Sequence, residues 1–198
     1  MKISRYAFLL SLGSVIASLT ATGAPAQTPS KTPAVVYIIR HGEKPSAEDK
    51  SPDLAPAGRQ RANALPSLFV QQPGSPSPRL QRPDVLFATA ASKHSNREVE
   101  TLEPLSQALH LSISHDFANS DTAGLASEVL SGKYQGKVVL ICWHHGELPS
   151  VATALGVTNV PAKWKDTAFD QVWKIQWIDG KATLTTLPEQ LLPGDATQ

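Results

Sequence analysis

The stretch Val35-Val36-Tyr37-Ile38-Ile39-Arg40-His41-Gly42-Glu43-Lys44-Pro45 restricts what this chain can fold into more than any other. An apolar, largely β-branched run stops abruptly at Arg-His-Gly and then turns at a proline. This reads as a buried strand that delivers three special residues at its C-terminal edge. In open α/β sheets that edge is where ligands bind. Neutral imidazole is a good nucleophile near pH 7, and a guanidinium matches phosphate oxygens as a fork. Arg40 beside His41 therefore suits attack on a phosphoryl group. Gly42 has no Cβ, so backbone and ligand can approach closely there. Taken alone the triplet is short, and one histidine after a strand is otherwise an ordinary loop residue. What decides between the two is whether later strands also end in cationic residues.

The remaining chain alternates between strand and helix patterns. Residues 54–65 read as a helix with Pro56 tolerated in its first turn, and 72–83 as a loop rich in Pro, Gly and Ser. A second strand is expected over 83–90. Residues 96–109 form the best helix pattern, with Val99, Leu102, Leu105 and Leu109 at helical spacing. Pro104 inside it predicts a kink or two shorter helices. A short strand at 111–114 precedes a helix over 122–130 with Asp121 as its N-cap. Residues 138–143 are a third strong strand, and 148–155 a helix closed near Gly156. Residues 172–178 and 182–187, joined by Asp179-Gly180-Lys181, read as an antiparallel hairpin. Strands alternating with helices imply a single α/β domain, spanning 34–192, with a mainly parallel sheet flanked by helices on both faces and a C-terminal hairpin. Residues 193–198 are left as a tail.

The second strand pattern runs into Ala90-Ala91-Ser92-Lys93-His94-Ser95-Asn96-Arg97-Glu98-Val99-Glu100-Thr101, which places Arg97 at a helix start. Helix N-termini favour anions through free amides and the macrodipole. An isolated arginine there would instead be a solvated charge paired with Glu98 or Glu100. Lys93 and His94 read as exposed loop residues. The third strong strand ends in the pair His144-His145. Successive strand side chains alternate faces, so only one of these histidines is expected to share a pocket with His41, and the pair is not read as a metal site. Trp164 and the segment Phe169-Asp170-Gln171-Val172-Trp173 read as lid and packing, with no ligand assigned to them.

Together, Arg40-His41-Gly42 after the first strand, a segment similar to Ser-x-x-x-Arg-x-x-x-Thr ending at Thr101, and a histidine after a later strand resemble the histidine phosphatase (phosphoglycerate mutase-like) superfamily. The resemblance runs roughly from Pro33 to Leu192. It implies the fold of that superfamily and hydrolysis of phosphomonoesters through a phosphohistidine on His41. Arg40, Arg97 and His145 (or His144) would bind the phosphoryl group, with no metal and no cofactor. Aligning without gaps through Gly136-Lys137-Val138 puts the second histidine role on His144. The Trp-x-His-x-x-Ile-Pro pattern of small relatives puts it on His145, which is preferred. Expelling an alkoxide needs a positioned proton donor. Larger relatives supply a glutamate from an insert and another branch an aspartate directly after the second histidine, and neither pattern is plainly present. Glu147 is the first choice, ahead of Asp116 and of Asp121, which is better used as a cap. Glu43 is expected to order the Arg40 loop through charge-assisted bonds. The partner implied is a phosphorylated small molecule or a phosphoprotein. The missing acid keeps a second reading, a non-catalytic exported phosphate-ligand binding protein. A mutase is disfavoured, because inserts that would cage a bisphosphate are lacking.

At the N-terminus, Lys2 and Arg5 precede a mostly apolar stretch over residues 6–19, and Ala24-Pro25-Ala26 has the small-x-small form of a signal-peptidase site. Residues 1–26 are therefore expected to be a signal peptide, with a mature N-terminus at Gln27 and a periplasmic or secreted protein. Residues 27–33 read as a stiff Pro-rich tether. No cysteine follows the apolar stretch, so no lipid anchor is indicated, and no stable membrane anchor is expected after cleavage. A formal net charge of +1 makes no electrostatic case for nucleic acid. Cys142 is the single cysteine, so an intrachain disulfide is impossible, and its apolar neighbours make it a buried hydrophobe.

Overall fold

The computed structural model describes residues 31–196 apart from 47, 72, 73 and 75. The expected signal peptide, its cleavage site and most of the tether lie outside the described residues. Six strands form one sheet: β1 (Val35–Arg40), β2 (Val85–Thr89), β3 (Ile113–Phe117), β4 (Val138–Trp143), β5 (Gln171–Ile178) and β6 (Lys181–Pro188). Their order is β3-β2-β4-β1-β5-β6. The first four run parallel, and β5 and β6 join antiparallel at the β1 edge.

Burial on both faces explains the unbroken apolar runs. Val36 and Ile38 of β1, with Val139, Ile141 and Trp143 of β4, pack against α3 (Thr122–Val129) and α4 (Leu148–Ala154). Val35, Tyr37 and Ile39, with Leu140 and Cys142, pack on the opposite side against α2 (Arg97–Leu109) and a 3-10 turn, Leu65–Leu68. That turn continues α1 (Pro56–Ala64). Period-2 alternation thus divides each strand between two cores, each covered by helices. Cys142 is fully buried, and burial pushes its thiol well above the ordinary range, which fits a packing residue.

Local signals hold in most places. Asp121 caps α3 by accepting from the Gly124 amide at 2.9 Å. The hairpin closes through Asp179 and Gly180, both at positive φ (50° and 75°), the pattern of a two-residue turn matched to strand twist. Two expectations shift. Residues Arg97–Leu109 form one helix with Pro104 inside it, which sets aside the alternative of two shorter helices but not that of a kink, and the Glu100 carbonyl loses only its i+4 amide partner. The short strand lies at Ile113–Phe117 instead of 111–114. It is a half-exposed edge strand, and its apolar run is a poor guide to the ladder.

Arg61 of α1 joins three distant pieces of chain. Its guanidinium donates to Glu43 (2.8 and 3.0 Å), Asp195 (2.8 and 2.9 Å) and Glu189 (3.2 Å). Its side chain is only 6% exposed. Burial pushes Glu189 up to about 8. Asp195 is held down at about 2, against its own burial, by Arg61 and the Leu191 and Leu192 amides. Glu43 therefore orders the loop after β1 through charge-assisted bonds, and Arg61 is the residue that supplies them. Removing one partner of a buried charge network typically costs about 3–5 kcal/mol, because the remaining charges are left uncompensated. Arg61→Met is expected to lose stability on that scale in denaturant unfolding. A change below ~1 kcal/mol would mean that water screens the cluster.

Candidate active site

All parallel strands deliver their C-terminal ends to one edge, and the chemistry gathers there. Arg40 is the last residue of β1 and His41 follows it, each 1% exposed. The His41 ring donates from Nδ1 to the Gly42 carbonyl at 2.7 Å, because a carbonyl can only accept, and so Nε2 keeps its lone pair. Burial first, then the charges of Arg40 and Arg97, hold this imidazole far down, at about 3. It is neutral, with a free nucleophilic nitrogen, across the physiological range.

The loop carrying His41 is fixed from two sides. The Gly42 amide donates to Thr101 Oγ1 at 2.9 Å, and the Thr101 hydroxyl donates to the Arg97 carbonyl at 2.7 Å. This is the physical content of the Arg-x-x-x-Thr spacing: one helical turn ties the Arg97 end of α2 to the His41 loop. On the other side Gly42 lies against Gly58 of α1, where a Cβ would come within 2.9 Å of the Gly58 carbonyl oxygen. The glycine at 42 is thus required by helix packing, beyond the ligand approach expected for it.

Arg40 crosses to the 165–169 segment. Its Nη1 donates to the carbonyls of Asp166 (2.6 Å) and Ala168 (3.1 Å), and its guanidinium carbon lies 3.7 Å from the Phe169 ring centroid. Burial pulls this guanidinium down to about 10. Arg97 donates to the carbonyls of Pro52 (3.1 Å) and His94 (3.3 Å). Among the described residues, the buried side-chain polar atoms with no hydrogen-bond partner are Arg40 Nε and Nη2, Arg97 Nε and His145 Nδ1. Every one belongs to a residue that the sequence singled out. Buried polar groups are nearly always paired, so unpaired nitrogens on three converging residues mark a place built for a ligand.

The histidine pair departs from expectation. One ring nitrogen from each of His41, His144 and His145 lies within 4.8 Å of the others. The His41 and His144 ring centroids are 5.8 Å apart, and those of His144 and His145 4.3 Å. Both histidines share the pocket, whereas strand alternation allowed only one. The reason is that β4 ends at Trp143, so the pair sits in the following loop, where alternation no longer holds. His144 Nδ1 accepts from the Gly146 amide at 3.2 Å, which leaves Nε2–H as a donor. His145 Nε2 lies 3.2 Å from Asp166 Oδ1. Burial lowers both imidazoles, with Arg40 adding to it, His145 to about 4.

Glu147 is the half-buried residue that precedes α4 at its N-cap position, and its side chain makes no capping hydrogen bond to that helix. Asp121 is occupied as the α3 cap. The carboxyl group nearest His41 is one that entered the sequence reading only in the alternative of Arg97 as a solvated charge. Glu98 is 2% exposed, its Oε1 lies 4.0 Å from His41 Nε2, and its Oε2 accepts from the Ser95 hydroxyl at 2.6 Å. It lines a cavity of about 470 Å³, together with Ala90, Ser95, Arg97, Asn119 and His144. Phe169, 6.3 Å from His41 by ring centroid, was read as lid or packing; it lies on both Arg40 and His41.

Compared by sequence, the chain matches no family model and no curated protein. Solved structures do match it in fold. The protein histidine phosphatase SixA complexed with tungstate is 17% identical, with a TM-score of 0.51 over 78% of this chain and 97% of that one. A phosphoserine phosphatase mutant from Entamoeba histolytica in complex with phosphoserine is 13% identical, with a TM-score of 0.51 over 80% of this chain and 99% of that one. The shared fold is phosphoglycerate mutase-like, a single α/β domain built on one mixed sheet.

Proposed function

We propose that this chain hydrolyses phosphomonoesters through a covalent phosphohistidine on His41. The observation that carries the reading is the convergence of unpartnered buried arginine nitrogens on a neutral imidazole whose Nε2 lone pair is free. In this reading Nε2 attacks phosphorus while Arg40 and Arg97 hold the equatorial oxygens, as charge-assisted donors in a site with little water. His144 adds its Nε2–H. His145 takes up a proton as the phosphate dianion arrives, since an adjacent negative charge favours the imidazolium, and Asp166 supports that charge. Glu98 gives its proton to the departing oxygen and, in the second step, accepts one from the water that cleaves the phosphohistidine. The cavity beside Glu98 and His144 receives the leaving group. Tungstate in one neighbour and phosphoserine in another are ligands of the same tetrahedral oxyanion type.

The test is direct. Rapid quenching during turnover of p-nitrophenyl phosphate is expected to trap one acid-labile phosphoryl group per chain, located on His41. Vanadate, which mimics five-coordinate phosphorus, should block turnover, and a chelator should not. Loss of activity in chelator, restored by a divalent ion, would reverse the reading. A protein that binds phosphate but forms no phosphoenzyme would favour the binding-protein reading instead.

Both loop histidines are expected to matter. Losing one preorganised donor to the transition state typically costs about 2.7–4 kcal/mol, roughly a hundred- to a thousandfold in rate. His144→Ala and His145→Ala should each fall in that range in steady-state assays. A full-rate His144→Ala would show that His144 borders the pocket without serving it.

A further inference from the structure

We infer that His41, His144 and His145 form a binding site for a divalent transition metal, with Zn²⁺ as the fitting ion, and that its occupancy excludes phosphoryl transfer. The inhibition half of this inference rests on the phosphatase reading, and the binding half does not.

Because His41 donates through Nδ1 to Gly42, its Nε2 offers a lone pair. The Asp166 carboxylate oxygen 3.2 Å from His145 Nε2 favours the proton on that nitrogen, which leaves a lone pair on Nδ1, an atom that is buried with no hydrogen-bond partner. Two imidazole lone pairs aimed into one confined space call for a cation. A carbonyl behind one ring and a carboxylate behind the other are the outer partners that metal-ligating histidines characteristically have. His144 completes the set through Nε2 once its proton moves to Nδ1, which costs only the 3.2 Å bond from the exposed Gly146 amide.

Geometry and charge both permit it. Tetrahedral zinc with bonds of about 2.0–2.1 Å needs nitrogens about 3.3 Å apart. One ring nitrogen of each histidine already lies within 4.8 Å of the others. The remaining contraction comes from His144 and His145, half-buried residues in a loop. Three imidazoles suit zinc or copper better than magnesium or calcium, which take oxygen ligands. Two guanidinium groups nearby oppose a cation, but two carboxylates offset them: Asp166 beside His145 and Glu98, when ionised, 4.0 Å from His41. Three protein ligands leave a fourth position for water or an anion, and the unpartnered nitrogens of Arg40 are available to an anion at this site. Since the Nε2 lone pair of His41 would both hold the ion and attack phosphorus, metal and phosphoryl group cannot use it together.

The experiment titrates the chelator-treated, dialysed full chain with Co²⁺ and Zn²⁺. The expected result is one equivalent bound, with the strong visible absorption of tetrahedral Co²⁺ that Zn²⁺ bleaches. His41→Ala, His144→Ala and His145→Ala should each weaken Zn²⁺ binding at least tenfold, and His115→Ala, on an exposed position of β3, should not. Vanadate should weaken Zn²⁺ binding, Zn²⁺ should stop turnover, and chelator should restore it. A chain that binds Zn²⁺ through these three residues but turns over no phosphoester would uphold the metal site and remove the phosphatase reading alone. Zn²⁺ affinity unchanged by His144→Ala and His145→Ala, or no visible Co²⁺ band, would overturn the site. Tight Zn²⁺ binding with turnover undiminished would overturn the exclusion.

Discussion

His41→Ala is expected to abolish phosphoenzyme formation and lower kcat by several orders of magnitude, ~10⁶-fold being the scale when a covalent nucleophile is removed. Only Nε2 of this ring is both unprotonated and unpaired; Nδ1 is committed to the Gly42 carbonyl, so no rotation of the imidazole supplies a substitute. Phosphate binding should survive, because the nitrogens of Arg40 and Arg97 remain. The measurements are turnover of p-nitrophenyl phosphate and vanadate affinity, with circular dichroism to establish that the buried substitution leaves the fold in place. A variant that retains rate within tenfold of the parent would show that the phosphoryl group never rests on His41.

The second large effect separates two carboxylates. Glu98→Gln keeps size and the Ser95 contact but removes the transferable proton, and general acid catalysis typically contributes ~10²–10⁴-fold. That loss should appear with alkyl phosphates, whose leaving groups need protonation. It should nearly vanish with p-nitrophenyl phosphate, whose leaving group does not. Glu147→Gln should leave both substrates almost unchanged. Equal losses on the two substrate types in Glu98→Gln would make Glu98 a positioning group for His41, and a selective loss in Glu147→Gln would return the role to Glu147.

Much of this site was legible because it is written in local patterns. An apolar run that ends in Arg-His-Gly is a strand and its tip, and the Asp-Gly turn is chemistry confined to two residues. The Arg-x-x-x-Thr spacing is one helical turn, visible in sequence, although the hydroxyl bond from Thr101 to the Arg97 carbonyl gave it a purpose that spacing alone could not. What escaped was tertiary. Glu98 sits at a helix start, where a glutamate is ordinarily solvated, and it is buried only because the His41 loop packs on that turn. Phase along β4 misled for the histidine pair, since alternation ends with the ladder at Trp143. The stacking of Phe169 on Arg40 joins positions 129 residues apart, and no local period encodes it.

The Arg61 cluster carries a consequence for the order in which the molecule is completed. Glu43 lies two residues after His41, while Glu189 and Asp195 follow Glu43 by 146 and 152 residues, beyond the last strand of the sheet. A polypeptide emerges from the ribosome N-terminus first, so the residues that finish this clasp arrive last. The sheet core can form around β1, β2 and β4 beforehand, but the loop bearing His41 gains its full set of anchors only when the final segment docks on α1. The setting of His41 is thereby completed only after the last strand of the sheet has been made, and any change that pulls Asp195 away from Arg61 will be felt more than 150 residues earlier in the sequence, at the base of the His41 loop.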